Sequence, residues 1–271
     1  MQLDKGTKLI TVDLDGTLLN GEKSMSDYTR RAMIAVQEKG IKVAIASGRP
    51  IMGCREIAES LQLTRFGGYV ICFNGGEIVE WKSKNHIHDK LLQNEYVCQI
   101  WEQAISKNLT TLIHDDVIIT NDKEHPRIQL SARRNAMEVI QPDDWKAEVA
   151  NRKLHKCMII GDPEEMPSLA EEMALKFPDI NVLRSEPFFL EFVPKDIDKG
   201  NGLRILADYL NINLKDVTAF GDALNDICML KAAGTGIAMG NSEEEVKAAA
   251  DIIAPPNTED GVGKVINELF L

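Results

Sequence analysis

Asp13-Leu14-Asp15-Gly16-Thr17 closes an apolar run with one carboxylate, places a second two residues later, and adds a glycine that lets the backbone turn sharply. Two carboxylates so spaced can bind a divalent cation while one of them also faces a substrate. The calcium loop of an EF-hand fits less well, because it needs glycine at its sixth position and glutamate at its twelfth. Ser47-Gly48 ends a second apolar run and opens a helix. There a hydroxyl and the Gly48 amide could cradle a phosphate, although a helix cap is the plainer role for such a serine. A hydrolase nucleophile elbow is excluded, since Ile45 stands where the Gly-x-Ser-x-Gly frame requires glycine. Lys199 alone says little, because most lysines are solvated surface charges. Gly221-Asp222-Ala223-Leu224-Asn225-Asp226 again comes directly after an apolar run. Asn225 and Asp226 could simply cap the helix containing Ile227 and Leu230. Asp222 would be a third carboxylate near Asp13 and Asp15, and like charges so gathered repel unless a cation joins them.

These residues need strands to carry them. Apolar runs at 8–13, 41–46, 68–73, 217–220 and 236–239 alternate with helical patterns, among them one capped by Ser26 and ended by Gly40. Alternation of this kind predicts an α/β fold with a doubly wound, mainly parallel sheet. Ligands of such sheets bind beyond the carboxyl ends of the strands, and Lys199 is expected there too, just after a strand near Phe192. Residues 84–189 read differently, with predicted strands at 117–120, 157–160 and 188–192 and helices at 96–107 and 164–177. They are expected to form an inserted α+β domain between core segments 1–83 and 190–271. Gly234-Thr235-Gly236 lacks dinucleotide-fingerprint spacing, and His86 with His88 has no third metal ligand nearby.

In this order and at these strand ends, Asp-x-Asp-Gly-Thr, Ser-Gly-Arg, Lys-Gly and Gly-Asp-x-x-Asn-Asp resemble the haloacid dehalogenase (HAD) superfamily. Within it they resemble the Cof-type phosphatases, which carry a large C2B-type cap; Asn74-Gly75 and Ala238-Met239-Gly240-Asn241 also look like that branch. The resemblance implies a Rossmann-like core and magnesium-dependent hydrolysis of small organic phosphates, sugar phosphates foremost. It implies that Asp13 attacks phosphorus to form an aspartyl phosphate, and that Asp15 serves as acid and then base. Mg2+ would be held by Asp13, the Asp15 backbone carbonyl and Asp222. Ser47, Gly48, Lys199, Asn225 and the Leu14 amide would hold the phosphoryl oxygens, with Asp226 supporting them from behind. The inserted domain would be a lid that reads the leaving group. Two departures stand out: Ala223 where the family often has Asn or Ser, and Asp198 beside the lysine, able either to raise its pKa or to face solvent.

Bulk properties agree with a small phosphorylated metabolite as partner. The 271 residues suffice for a catalytic core and an accessory domain, and a net charge of -11 without a basic cluster disfavours nucleic acid or an anionic membrane. The start of the chain, through Asp4, Lys5 and Lys8, has no signal-peptide pattern, and no apolar stretch is long enough to span a bilayer. Cys54, Cys72, Cys98, Cys157 and Cys228 form no Cys-x-x-Cys pair, which predicts reduced thiols and a cytoplasmic protein. The alternatives are a phosphosugar mutase of the same fold and a non-catalytic phosphate sensor. An intact Asp15 speaks against the sensor, and the length and large insert speak against a receiver domain phosphorylated on Asp13. Oligomeric state is left open.

Overall fold

The computed structural model describes residues 6–271; Asp4 and Lys5 lie outside the described residues. In chain order the elements are β1 (Leu9–Asp13), α1 (Asp27–Glu38), β2 (Lys42–Ala46), α2 (Ile51–Ser60), α3 (Leu63–Phe66), β3 (Tyr69–Cys72), β4 (Glu77–Glu80) and β5 (Asn85–Asp89). Then come α4 (Asn94–Ser106), β6 (Thr110–His114), β7 (Ile118–Ile119), α5 (Pro126–Asn135), β8 (Val139–Ile140), α6 (Trp145–Ala150), β9 (Cys157–Ile160), α7 (Met166–Lys176), β10 (Ile180–Glu186) and β11 (Phe189–Pro194). The chain ends with α8 (Lys199–Tyr209), β12 (Val217–Gly221), α9 (Ile227–Ala232), β13 (Thr235–Ala238), α10 (Glu244–Lys247), β14 (Ile252–Ile253) and α11 (Gly261–Leu269).

By contacts the chain separates into two compact units, one running up to His88 and resuming at Asp198–Leu271, the other Asp89–Ile197. These limits lie several residues beyond 84 and 189. The strand β5 carries a mixed, half-exposed sequence with no apolar period, so it did not announce itself as an edge of the first sheet. At the other end, β11 continues to Pro194 and pairs with β9 and β10 of the second unit.

The first unit is an α/β sheet of eight strands in the order β14-β13-β12-β1-β2-β3-β4-β5. From β14 through β3 every neighbouring pair is parallel, and β4 runs antiparallel to β3. Parallel strands need crossovers, and the helices that supply them cover both faces, so β1 is buried along its whole length. On one face Ile10, Val12, Val43, Ile45 and Val70 pack with Met33 and Val36 of α1 and Val262 and Ile266 of α11. On the other, Leu9, Ala44, Ile71, Val217 and Ala219 pack with Leu203 and Leu206 of α8 and Met229 of α9. The helix α1 is capped as its sequence predicts: Ser26 Oγ accepts from Thr29 N at 3.1 Å, and Gly40 comes after its last turn with φ +87°.

The second unit is a six-stranded sheet, β10-β11-β9-β6-β7-β8, antiparallel except for β7 with β8. One of its faces packs on α4, α6 and α7 through a cluster that includes Trp101, Ile159, Met173, Phe177 and Phe192. Trp101 stacks on Trp145 at 4.9 Å. Among the described residues no helix is long and apolar enough to cross a membrane.

Candidate active site

Three adjacent parallel strands bring the site together. The register sets Asp13 beside Ala46 and Val12 beside Phe220, so the segments after β1, β2 and β12 leave the sheet side by side. Asp13, Ser47 and Asp222, distant in sequence, therefore share one end of the sheet, at the carboxyl ends of their strands.

Asp13 continues the alternation of Leu9 and Thr11 and so turns to the α8 face of the sheet. There Lys199 Nζ donates to Asp13 Oδ1 and to Asp226 Oδ1, each at 2.6 Å. All three side chains are buried, Lys199 with 1% exposure. Burial alone would discharge the lysine, but Asp13 and Asp226 reverse this and hold it charged, well above the ordinary lysine value. Burial pushes the Asp13 carboxyl up; Lys199 pulls it down, while Asp226 and Asp222 add to the rise. Lys199 does not follow a core strand as expected. It occupies the first turn of α8, because the strand before it belongs to the other sheet. Asp198 is the N-cap of that helix: its Oδ1 accepts from Asn201 N at 2.8 Å.

One oxygen from each of Asp13, Asp222 and Asp226 lies within 4.8 Å of the others, the spacing of a possible cation site. The donor set is narrower than that cluster. Asp226 spends Oδ1 on Lys199 and Oδ2 on the amides of Asp222 and Ala223, both at 3.0 Å, so it braces the loop and the lysine. Asp13 and Asp222 remain, and the residues present fit a hard divalent ion: burial raises the Asp222 carboxyl, as it does that of Asp13, and a cation would relieve both. Thr17 Oγ1 aims Asp222 by donating to its Oδ1 at 2.7 Å. Asn241 Nδ2 ties the same turn through Gly16 O at 2.9 Å. Gly16 must be glycine, since its φ is +88° and a Cβ there would lie 2.2 Å from Asp222 Oδ2.

Asp15 is held away from this pair. Arg49 forks onto it, Nε to Oδ2 at 2.8 Å and Nη2 to Oδ1 at 2.7 Å, and Lys23 Nζ reaches Oδ1 at 2.8 Å. Burial pushes its carboxyl up, but the Arg49 and Lys23 hydrogen bonds outweigh this and hold it down at about 2. Both oxygens of the carboxylate are thus engaged. Ser47 is buried, and its Oγ accepts from Arg49 N at 3.2 Å. Asn74 links the two halves of the expected phosphate cradle: its amide donates to Ser47 O at 3.0 Å, and its Oδ1 accepts from Asn225 Nδ2 at 3.1 Å. Gly48 leaves room for it, since a Cβ there would meet Asn74 Oδ1 at 3.2 Å. Leu14 is buried, and its carbonyl closes the loop by accepting from the Thr17 and Leu19 amides.

The structure therefore gathers Asp13, Lys199, Asp222 and Asp226 into direct or near contact, and joins Ser47 and Asn225 through Asn74. Sequence reasoning assigned no role to Arg49, Lys23, Thr17, Asn74 or Asn241, although all but Lys23 stand inside or next to the motifs that drew attention. Their value depends on partners up to 225 positions away, as for Asn241 with Gly16, which motif spacing does not reveal.

The family model of the haloacid dehalogenase-like hydrolases matches residues 10–266. The 5-amino-6-(5-phospho-D-ribitylamino)uracil phosphatase YcsE of Bacillus subtilis is 35% identical over 99% of this chain and 98% of its own length. A crystal structure of a haloacid dehalogenase-like hydrolase from Bacteroides thetaiotaomicron superposes with a TM-score of 0.94 at 40% identity, covering 97% of this chain and all of that one. A sugar phosphatase of HAD subclass IIB superposes with a TM-score of 0.79 at 26% identity, over 97% of this chain and 98% of its own.

Proposed function

This chain belongs to the haloacid dehalogenase-like hydrolase family and is a phosphatase, and from that premise we propose magnesium-dependent hydrolysis of small phosphate monoesters, sugar phosphates foremost, through Asp13. The observation that carries this reading is the buried Asp13, gripped on Oδ1 by Lys199 with Asp222 alongside. Lys199 occupies one oxygen and orients the other towards an incoming phosphorus. Asp13 then forms the aspartyl phosphate while the bond to the leaving oxygen breaks and Asp15 delivers a proton to that oxygen. Asp15 next takes a proton from the water that attacks the acyl phosphate, which frees inorganic phosphate and regenerates Asp13. The proton gained there restores the acid form that the first step uses; held by Arg49 and Lys23 alone, Asp15 is ionised, the form required for the second step.

Asp13, the Asp15 carbonyl and Asp222 would hold Mg2+. When bound, the ion neutralises charge on the phosphoryl oxygens and on the two carboxylates. Ser47, the Gly48 and Leu14 amides, Lys199 and Asn225 are assigned to the phosphoryl oxygens, and Asp226 keeps Lys199 in place. A sugar phosphate suits two of the relatives: one is named for a phosphoribityl compound and the other as a sugar phosphatase, so both names describe phosphate on a polyhydroxylated carbon chain. The five unpaired thiols favour a reducing, cytoplasmic setting.

The test is phosphate release from a panel of sugar, polyol and nucleotide monophosphates with Mg2+. Release is expected from at least one polyol ester, with loss on chelation and recovery on adding Mg2+ back. Activity that survives chelation removes the metal from the mechanism, and an isomerised sugar phosphate without free phosphate makes the chain a mutase.

A second test needs no substrate. A carboxyl raised by folding, as Asp222 is, binds its proton more tightly in the native state, so its contribution to stability is present at low pH and lost as pH rises. Asp222→Asn should therefore raise the metal-free Tm at pH 8, with the gain fading towards pH 4, and should abolish the upward Tm shift that Mg2+ gives the parent chain. A variant that still responds to Mg2+ would remove Asp222 from the ligand set.

A further inference from the structure

We propose that Arg49 is a positioning residue for Asp15, locating its carboxyl group for proton delivery to the leaving oxygen. The inference rests on the phosphatase reading above and adds to it a residue that acts through another. Three observations support it. The guanidinium contacts both oxygens of Asp15 in a two-point fork, at 2.8 and 2.7 Å, which fixes the plane of the carboxyl as well as its distance. The same group is itself anchored, because Nη1 donates to Gly53 O at 3.0 Å and the Arg49 side chain is only 17% exposed. Finally, Arg49 N donates to Ser47 Oγ, so one tripeptide fixes both a residue assigned to the phosphoryl group and the group assigned to move its proton.

Lys23, the other cation on Asp15, is differently built. It makes one contact, to Oδ1, from a side chain 51% exposed. Of the two partners, Lys23 is the one able to swing into solvent and uncover Oδ1, while the Arg49 fork keeps the carboxyl in place. A lysine at position 49 could supply the charge but not the fork.

The test compares two esters. A phosphate ester of an aliphatic alcohol has a poor leaving group and depends on proton delivery, whereas an aryl ester such as p-nitrophenyl phosphate departs without it. Arg49→Ala is expected to lower kcat for a polyol phosphate by about 30-fold, to lower that for the aryl ester by less than about 3-fold, and to leave KM within about 2-fold. Arg49→Lys should fall between parent and Arg49→Ala. In an Asp15→Asn background Arg49→Ala should cost nothing further on the polyol ester, because the group it positions is gone. Thermal melts separate these losses from unfolding, and free guanidinium should restore part of the Arg49→Ala activity. Equal losses on both esters, a rise in KM alone, a gain in kcat, or additive losses with Asp15→Asn would each overturn the proposal. A parent chain inert towards both esters would instead overturn the phosphatase reading, which keeps the two failures apart.

Discussion

Asp13→Asn is expected to lower phosphate release by about 10⁴-fold or more while the chain keeps its fold. The amide has nearly the shape of the carboxyl but no charge with which to attack phosphorus, so no acyl phosphate forms. The fold should persist for a specific reason. Lys199 keeps Asp226 as a partner at 2.6 Å when Asp13 is neutralised, so no buried charge is stranded. Burial already pushes Asp13 towards its neutral form, and the introduced amide copies that form. The measurement is phosphate release with Mg2+, set beside a thermal melt. Turnover within about tenfold of the parent would mean that another group accepts the phosphoryl, and the mechanism would have to be abandoned.

Lys199→Met should behave in the opposite way and cost both activity and stability. Lys199 is the shared counter-ion of two buried carboxylates, and Asp226 is wholly inaccessible. Removing one partner of a buried ionic cluster typically costs about 3–5 kcal/mol, because the remaining charges lose their compensation. For a chain of this size that corresponds to a Tm lower by roughly 10 °C. A second change identifies the cause: adding Asp226→Asn should recover part of the lost Tm without restoring activity. A Lys199→Met chain as stable as the parent would show that the lysine is not the counter-ion that holds this site together.

The contrast between these variants comes from how the site is wired. Asp13 is one of two anions on a shared cation, so its charge can be removed. Lys199 is the cation that Asp13 and Asp226 share, so its charge cannot.

Much of this was legible in the sequence. Buried parallel strands are continuous apolar runs, and those at 8–13, 41–46, 68–73 and 217–220 match β1, β2, β3 and β12 to within a residue or two. Their polar ends therefore singled out Asp13, Asp15, Ser47 and Asp222 as candidates before any coordinates. Edge and half-exposed strands were not legible. Asn85–Asp89 and Ile180–Glu186 carry charges on a solvated side and form no apolar run, and Glu77–Glu80, though mostly buried, has only two apolar residues between its glutamates, so β4, β5 and β10 went unpredicted. The sheet to which the strand before Lys199 belongs was not legible for a different reason: an apolar stretch at Phe192 looks identical whether its partners are core strands or β9 and β10.

By itself, the sequence determined the alternation of strands and helices, the residue types at the strand ends, and hence the kind of chemistry those ends can perform. These are local properties, set by periodicity and by the residues that terminate each apolar run. Tertiary structure alone decided that Lys199 joins Asp13 to Asp226, that Asp226 also holds the amides of Asp222 and Ala223, and that Arg49 grips Asp15. Hydrogen-bond partners are chosen by which segments the sheet order sets side by side, and β12, β1 and β2 are neighbours in space although about 170 residues separate the end of β2 from the start of β12.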